Sequence, residues 1–176
     1  MSNDKLLTCL WFDFGEARNF AKFVASTFPD SHIGTTTKAP NDFPCGGKAD
    51  MELTIEFTVL GRPFLGLNGG PEFKPNEAVS FQVLTDSQEE TDKYWDAIVG
   101  NGGKESECGW CTDKWGFAWQ ITPRALTEAM KDPDVEAAKR AMKRMFGMKR
   151  IVIREIEEAR KGGNDEPHET TTFQPS

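Results

Sequence analysis

The side chains able to do chemistry in this chain are few and scattered. Its two histidines, His32 and His168, fall beside a predicted turn and in a polar tail, so they assemble no Ser–His–Asp or Cys–His arrangement. Cys108-Gly109-Trp110-Cys111 is a C-x-x-C motif, but it falls in a predicted hairpin and not at a helix start, and no second pair completes a zinc site. We therefore expect reduced thiols and assign no catalytic residue.

Three polar side chains lie among apolar ones on predicted strands. Ser80 and Gln82 alternate with Phe81 and Val83, and Gln120 has an apolar neighbour on each side. A binding pocket is mostly apolar with a few placed donors and acceptors, so this pattern predicts pocket-lining residues. The alternative is that they hydrogen-bond to one another or cover an exposed sheet face. Four tryptophans are candidates for an aromatic pocket wall, or for the core or an interface: Trp11, Trp110, Trp115 and Trp119.

A strand and a helix, followed by further strands and a glycine break, would position the first of these residues. Leu6–Phe14 is a predicted strand, and an apolar stripe of helical spacing follows and ends before Pro29. Met51–Val59 alternates strictly and predicts a half-buried antiparallel strand, which Phe64–Leu67 follows after a turn. Asn68-Gly69-Gly70-Pro71 then interrupts regular structure.

The same order is repeated in the second half of the chain. Ala78–Leu84 is a predicted strand, and Ser87-Gln88-Glu89-Glu90 predicts a capping box at a helix start. Asn101-Gly102-Gly103 ends that helix, and a hairpin is predicted from Cys108–Thr112 and Phe117–Ile121. The recurrence indicates an internal duplication.

The last part of the chain is predicted to be helical and then disordered. Asp132 is the predicted N-cap of a helix with Pro133 in its first position. The predicted buried faces of its helices are Val135, Ala138, Met142, Met145 and Phe146, and then Ile151, Val152, Ile156 and Ala159. Residues 162–176 are polar and offer little to bury, which predicts disorder.

Composition limits the class of protein. The chain has 176 residues, 38% of them hydrophobic, which suits one globular domain. A formal net charge of -7 disfavours a nucleic-acid binder, which needs a basic surface. No stretch has the length of a membrane-spanning helix, and the first residues do not resemble a signal peptide. A cytoplasmic protein without nucleic-acid or membrane partners is expected.

Several motifs in order resemble the PhnB-like branch of the glyoxalase/bleomycin-resistance/dioxygenase superfamily, also called vicinal oxygen chelate proteins. They include Leu10-Trp11-Phe12-Asp13, Phe64-Leu65-Gly66-Leu67-Asn68-Gly69-Gly70-Pro71 and Asp113-Lys114-Trp115-Gly116-Phe117-Ala118-Trp119-Gln120. The resemblance covers roughly residues 6–148. Members of this branch are often labelled 3-demethylubiquinone-9 3-methyltransferase. A methyl-donor site normally needs a Gly-rich turn from a strand into a helix, and neither glycine run has that context.

The resemblance implies an α+β fold of two tandem β-α-β-β-β modules with C-terminal helices. The expected divisions are 1–123 for the modules (1–70 and 71–123), 124–161 for the helices and 162–176 for the tail. It also implies a homodimer whose modules form a cup. We expect this cup to be lined by Cys9, Trp11, Leu65, Ser80, Gln82 and Gln120.

Metal-dependent relatives bind a divalent ion with His, Gln and Glu side chains in the cup. The resemblance places these positions near Thr8 or Cys9, Leu65 or Gly66, Ser80 and Gln120. Leucine and glycine offer no ligand atom and serine is a weak ligand, so we expect no metal and no cofactor. The implied function is binding of a small, partly apolar molecule. The alternative is a metal-dependent isomerase or lyase of glyoxalase type, or a dioxygenase.

Overall fold

In the computed structural model, which describes residues 5–162, the chain divides into two compact units, Met1–Pro75 and Asn76–Ser176. Each unit contains a four-stranded mixed sheet and at least one helix. The α+β class built from two β-α-β-β-β modules is thereby confirmed. The finer divisions at residues 70, 123 and 161 stay predictions, and the disorder predicted for the tail concerns residues that, after Gly162, lie outside the described part.

The first unit has one helix and four strands. The sheet order is β1-β4-β3-β2, in which β1 pairs with β4 in parallel and the other pairs are antiparallel. The elements are β1 (Thr8–Phe12), α1 (Glu16–Thr27), β2 (Ile33–Lys38), β3 (Glu52–Val59) and β4 (Arg62–Asn68), with a short 3-10 turn at Pro44–Gly46.

Alternation and helical spacing account for most of this unit. Ile55, Phe57 and Val59 on β3 are buried against α1, whose own buried face includes Phe20 and Val24. Strand β2 was not predicted, because five of its six residues are exposed and it therefore has no apolar alternation. Its three successive threonines were the available signal, since β-branched residues favour strands.

The second unit repeats the arrangement with shorter strands. Its sheet order is β5-β8-β7-β6, with β5 parallel to β8, and three helices follow the sheet. The elements are β5 (Ser80–Thr85), α2 (Gln88–Gly100), β6 (Lys104–Glu105), β7 (Trp110–Thr112), β8 (Ala118–Pro123), α3 (Arg124–Ala129), α4 (Val135–Met145) and α5 (Ile153–Arg160).

Helix α2 begins and ends as its sequence predicts, with one difference. Ser87 Oγ accepts a hydrogen bond from the Glu90 amide at 3.1 Å, as in a capping box. The Glu90 carboxylate, however, accepts from the Asp86 amide and not from that of Ser87. At the other end Gly102 has φ +88°, the left-handed conformation that glycine adopts without strain.

The link between α4 and α5 is fixed to the sheet and to α2. The amides of Cys108 and Gly109 donate to the carbonyls of Met148 and Lys149 at 2.6 and 2.7 Å. The Gln88 side chain donates to the Ile151 carbonyl and accepts from the Ile153 amide. The C-terminal helices are therefore part of the second unit's core, not an appendage.

The predicted start of α4 was wrong by two residues. Asp134, not Asp132, is the N-cap, because its carboxylate accepts from the Glu136 amide at 3.0 Å. Asp132 instead accepts from the Asp134 amide and pairs with Arg160 at the end of α5. Two acidic residues flank Pro133, and only the packing of α5 decides which one is free to cap.

The predicted buried face of α4 was wrong for three of its five residues, whereas Ala138 and Met145 are half-buried, Met145 against the core. Its buried residues are Ala137 and Ala141, whereas Val135, Met142 and Phe146 are 61%, 44% and 53% exposed. Small side chains let the α4 backbone approach α3 and α5, and the larger side chains cannot fit there. The face predicted around α5 is correct, since Ile151, Ile156 and Ala159 are buried.

Because of this orientation of α4, substitutions at neighbouring positions should differ strongly in their effect on the free energy of unfolding. Ala141→Leu should lower the free energy of unfolding by about 1–3 kcal/mol, because the site is fully buried and has no room for added carbons. Met142→Gln should change it by no more than about 0.5 kcal/mol. Urea unfolding followed by circular dichroism measures both. A larger loss for Met142→Gln than for Ala141→Leu would contradict the observed face.

Candidate functional site

The outer face of the first sheet, on the side away from α1, carries three of the six predicted cup-lining residues. Leu10 and Phe12 are buried, so Cys9 and Trp11 point to the other side. In the parallel pairing with β4, Cys9 lies opposite Leu65 and Trp11 lies opposite Leu67. Leu67 was not predicted, although its position two residues after Leu65 on the same strand was the signal for it.

The strand register decides between the alternatives that the sequence left open. Gly66 is on the buried side, where an added Cβ would lie 2.9 Å from the Cβ of Ala17. Thr8 pairs with Phe64, whose ring stacks on Phe57 at 5.5 Å. Cys9 and Leu65, not Thr8 and Gly66, therefore occupy the outer face.

Trp11 is held in place by the glycine break that follows β4. Its Nε1 donates to the Gly70 carbonyl at 2.8 Å, and a Cβ at Gly69 would lie 2.3 Å from its ring. The exposed ring of Phe73 contacts it edge to face, with ring centroids 4.8 Å apart. The Gly69-Gly70 pair thus creates an aromatic platform, because only glycine lets the indole lie on the backbone.

The outer face of the second sheet carries the other three predicted residues. Gln82 on β5 lies opposite Gln120 on β8, which lies opposite Trp110 on β7. Gln120 Nε2 donates to Ser80 Oγ at 2.8 Å, and Gln82 Nε2 donates to Gln120 Oε1 at 3.3 Å. Gln82 Nε2 also lies 3.4 Å from Thr122 Oγ1, a residue that the sequence analysis missed. We call Ser80, Gln82, Gln120 and Thr122 the amide ladder.

The tryptophans have different roles. Trp11 and Trp110 are half-buried on the outer faces and suit a ligand platform. Trp119 is 1% exposed and belongs to the core, where Phe81 packs against it at 5.1 Å. Trp115 lies in the hairpin turn, with Lys114 Nζ 4.5 Å from the centre of its ring. Of the alternatives that the sequence left open for Trp119, the core is the one observed.

Asp113 is a buried carboxylate that the sequence analysis treated only as a turn residue. Its Oδ1 accepts from the amides of Trp115 and Phe117 at 2.9 and 3.1 Å, and its Oδ2 accepts from Trp119 Nε1 at 2.8 Å. Burial raises the pKa of Asp113 to about 6, while hydrogen bonds from Trp119, Phe117, Trp115 and Gly116 oppose that rise. All of these donors belong to the hairpin whose shape they fix, so the Asp113 carboxylate has a structural role.

The two thiols of the C-x-x-C motif have low reactivity. All four cysteines are free thiols. Burial raises the pKa of Cys111 to about 12, with Asp113 and Glu105 adding to the effect, and burial followed by Glu107 raises the pKa of Cys108. A nucleophilic or redox thiol requires the opposite shift.

We therefore expect Cys108 and Cys111 to stay reduced in air. Alkylation of the native protein, followed by mass spectrometry, should leave the 1%-exposed Cys111 unmodified, whereas alkylation in urea should modify all four thiols. A 108–111 disulfide in protein prepared without reductant would contradict this expectation.

The positions that the resemblance assigns to metal ligands carry poor metal donors. The first unit offers Cys9, whose thiol pKa is raised by burial, and the hydrocarbon of Leu65. The second offers Ser80 and Gln120, which are uncharged and bonded to each other. Across residues 5–162 no three His, Cys, Asp or Glu side chains converge on a point that could hold an ion. His32 is elsewhere, with Nδ1 2.9 Å from Thr58 Oγ1 on an exposed surface, and His168 lies outside the described residues.

Neither glycine run has the setting of a methyl-donor site. The run at residues 68–71 ends β4 and is followed by turns and extended chain up to β5, and Asn101-Gly102-Gly103 follows α2. A nucleotide-type cofactor turn instead leads from a strand into a helix N-terminus. Both runs have structural roles, one under Trp11 and one at the helix end.

Two sheets that each repeat the β-α-β-β-β order, with the first and last strands of each module parallel, define the glyoxalase/bleomycin-resistance fold. The model of the 3-demethylubiquinone-9 3-methyltransferase family matches residues 4–122. The chain belongs to this family.

Solved structures agree with this assignment. A PhnB protein from Bacillus cereus that carries the same methyltransferase label is 26% identical, covering 68% of this chain and 99% of its own, with a TM-score of 0.59. A protein from Pseudomonas aeruginosa is 15% identical over 69% of this chain and 98% of its own, with a TM-score of 0.51, which shows the fold alone. A search of curated proteins found no match. Within the described residues, every helix is too short or too polar to cross a membrane.

Proposed function

We propose that this chain binds a small, partly apolar molecule on the outer faces of its sheets, without a metal ion. The observation that carries the proposal is the amide ladder beside Trp110, in which uncharged polar groups occupy the positions of metal ligands. A few placed donors and acceptors next to an aromatic surface are typical of small-molecule sites. The outer face of the first sheet, with Cys9, Trp11 and Leu65, is the equivalent apolar surface of the first unit.

The alternative enzymatic functions require a metal ion or a methyl donor, which the proposed binding function does not. A glyoxalase-type isomerase or lyase, or a dioxygenase, requires a divalent ion, for which Leu65 and Ser80 supply poor ligands. Methyl transfer, the activity named by the family label, requires a methyl-donor site that neither glycine run resembles. Binding is therefore the function we favour, and we extend to it the homodimer and the cytoplasmic location expected from the resemblance and the sequence.

Native mass spectrometry of the purified chain tests the proposal most directly. We expect a non-covalent adduct of small mass, released by mild activation, and its loss on Gln120→Leu. Glu89→Gln, at an exposed position in the first turn of α2, is a surface control that should keep the adduct. No adduct from any preparation, together with no binding of added aromatic probes, would refute the proposal.

Metal loading gives a second, independent test. After exposure to nickel, zinc, iron or manganese and then gel filtration, we expect far less than one equivalent of metal per chain by elemental analysis. The reason is the donor set, which offers one thiol of raised pKa and no imidazole at the inherited positions. One retained equivalent that is lost on Cys9→Ala or Gln120→Ala would reverse the ranking in favour of the metal-dependent alternative.

A further inference from the structure

The outer face of the second sheet is uncharged along its central rows. Its members from three adjacent strands are Ser80, Gln82, Leu84, Ala118, Gln120, Thr122, Trp110 and Thr112. The nearest charge in this register is Lys104, which lies opposite Thr112 on the short outer strand β6. Lys104 at this edge and the Asp86–Arg124 pair beyond the ends of β5 and β8 border the face, but its central rows contain no ionised side chain that would neutralise a charged ligand.

We propose that this face selects an uncharged, flat molecule that carries a trans secondary amide, whose C=O acceptor and N–H donor point in opposite directions. The inference rests on the proposed function and specifies its ligand class. It follows from which hydrogen-bonding groups the amide ladder leaves available.

The ladder uses some of its groups internally and leaves others for a ligand. The Gln82 side-chain nitrogen donates to both Gln120 and Thr122, which occupies its two N–H groups. Its Oε1 is then left as an acceptor, with no partner among the described residues. Ser80 Oγ accepts from Gln120, so its own O–H is left to donate. The ladder therefore presents one acceptor and one donor about two residues apart on a single strand.

Each competing class of ligand would leave a charge or a hydrogen-bonding group without a partner. A carboxylate would lose its hydration with no cation to replace it. A purely apolar molecule would cover Gln82 Oε1 and the Ser80 hydroxyl without pairing them. A trans secondary amide can donate to the first and accept from the second, because its N–H and C=O point in opposite directions along the strand. An attached aromatic ring can lie against Trp110, the neighbour of Gln120 in the register.

Four naphthalene probes separate these classes: 2-acetamidonaphthalene, its N-methyl derivative, naphthalene and 2-naphthoate. Their dissociation constants can be measured by ligand-observed NMR on the full chain. We expect 2-acetamidonaphthalene to bind about tenfold more tightly than the N-methyl compound, which lacks the donor, and at least as much more tightly than the carboxylate. In Gln82→Leu, which removes the acceptor, the two amides should bind about equally.

Variants that keep the fold make the result decisive. Gln82 is exposed, so Gln82→Leu should leave the unfolding midpoint nearly unchanged, and Glu89→Leu, at an exposed position in the first turn of α2, should keep the tenfold preference. Equal binding of all three neutral probes would overturn the ligand class but leave the proposed function standing. Tighter binding of the carboxylate, or a preference that survives Gln82→Leu, would also overturn it. Failure of every probe to bind would contradict the proposed function itself.

Discussion

Replacing Asn68 by alanine should lower the free energy of unfolding by about 3–4 kcal/mol. Asn68 is fully buried, and its Oδ1 accepts from the Ala17 amide in the first turn of α1 at 3.1 Å. Its Nδ2 donates to the Glu52 carbonyl at the start of β3 at 3.0 Å. One side chain thus satisfies two backbone groups from different elements, and truncation leaves both unpaired.

Urea unfolding followed by circular dichroism measures this loss. Asn19→Ala is a matched control, because the exposed Asn19 side chain bonds to the Glu16 side chain of its own helix, and it should cost no more than about 0.5 kcal/mol. Asn68→Asp keeps the acceptor for Ala17 but places a carboxylate oxygen against the Glu52 carbonyl, so it should also destabilise. Equal costs for Asn68→Ala and Asn19→Ala would show that the Asn68 bridge is not important for stability.

The second large effect is a dependence of stability on pH that comes from Asp113. Burial raises the pKa of this carboxyl to about 6 in the folded chain, whereas in the unfolded chain it titrates near pH 4. The folded state therefore holds the proton more tightly. Its stabilising contribution is full below about pH 4 and is lost as the pH rises through about 6, a change of about 3 kcal/mol.

Asp113→Asn isolates that contribution. Asparagine does not titrate, and its Oδ1 can still accept from the Trp115 and Phe117 amides, although its Nδ2 then faces Trp119 Nε1. Other carboxyls, such as Glu105 and Asp132 with lowered pKa values, are shared by both proteins. The difference in unfolding free energy between the two should shift by about 2 kcal/mol in favour of Asp113→Asn from pH 4 to pH 7, since about half of the unfolded chains already hold this proton at pH 4. A difference independent of pH would refute this expectation.

The sequence was sufficient to predict those features that depend on residues close together in the chain. The alternation along Glu52–Val59, the Ser87 cap and the left-handed Gly102 are confirmed because each depends on residues within one turn or one strand. The same holds for Ser80, Gln82 and Gln120, whose strand parity fixes the face that they share. That the ladder residues bond to one another, the alternative left open by the sequence, required the pairing of β5 with β8.

Tertiary structure decided whatever depended on a distant partner. Residues 8 and 9 are both compatible with a ligand position in the sequence, and only the register with β4 puts Cys9 and Leu65 on the outer face. The burial of Asp113 depends on Trp119 six residues away, and the rotation of α4 depends on the space that α3 and α5 leave for two alanines. The sequence by itself determined the modules and the polar character of the site. Its register, its internal hydrogen bonds and the face of α4 came only from packing, because many side chains compete for each buried position.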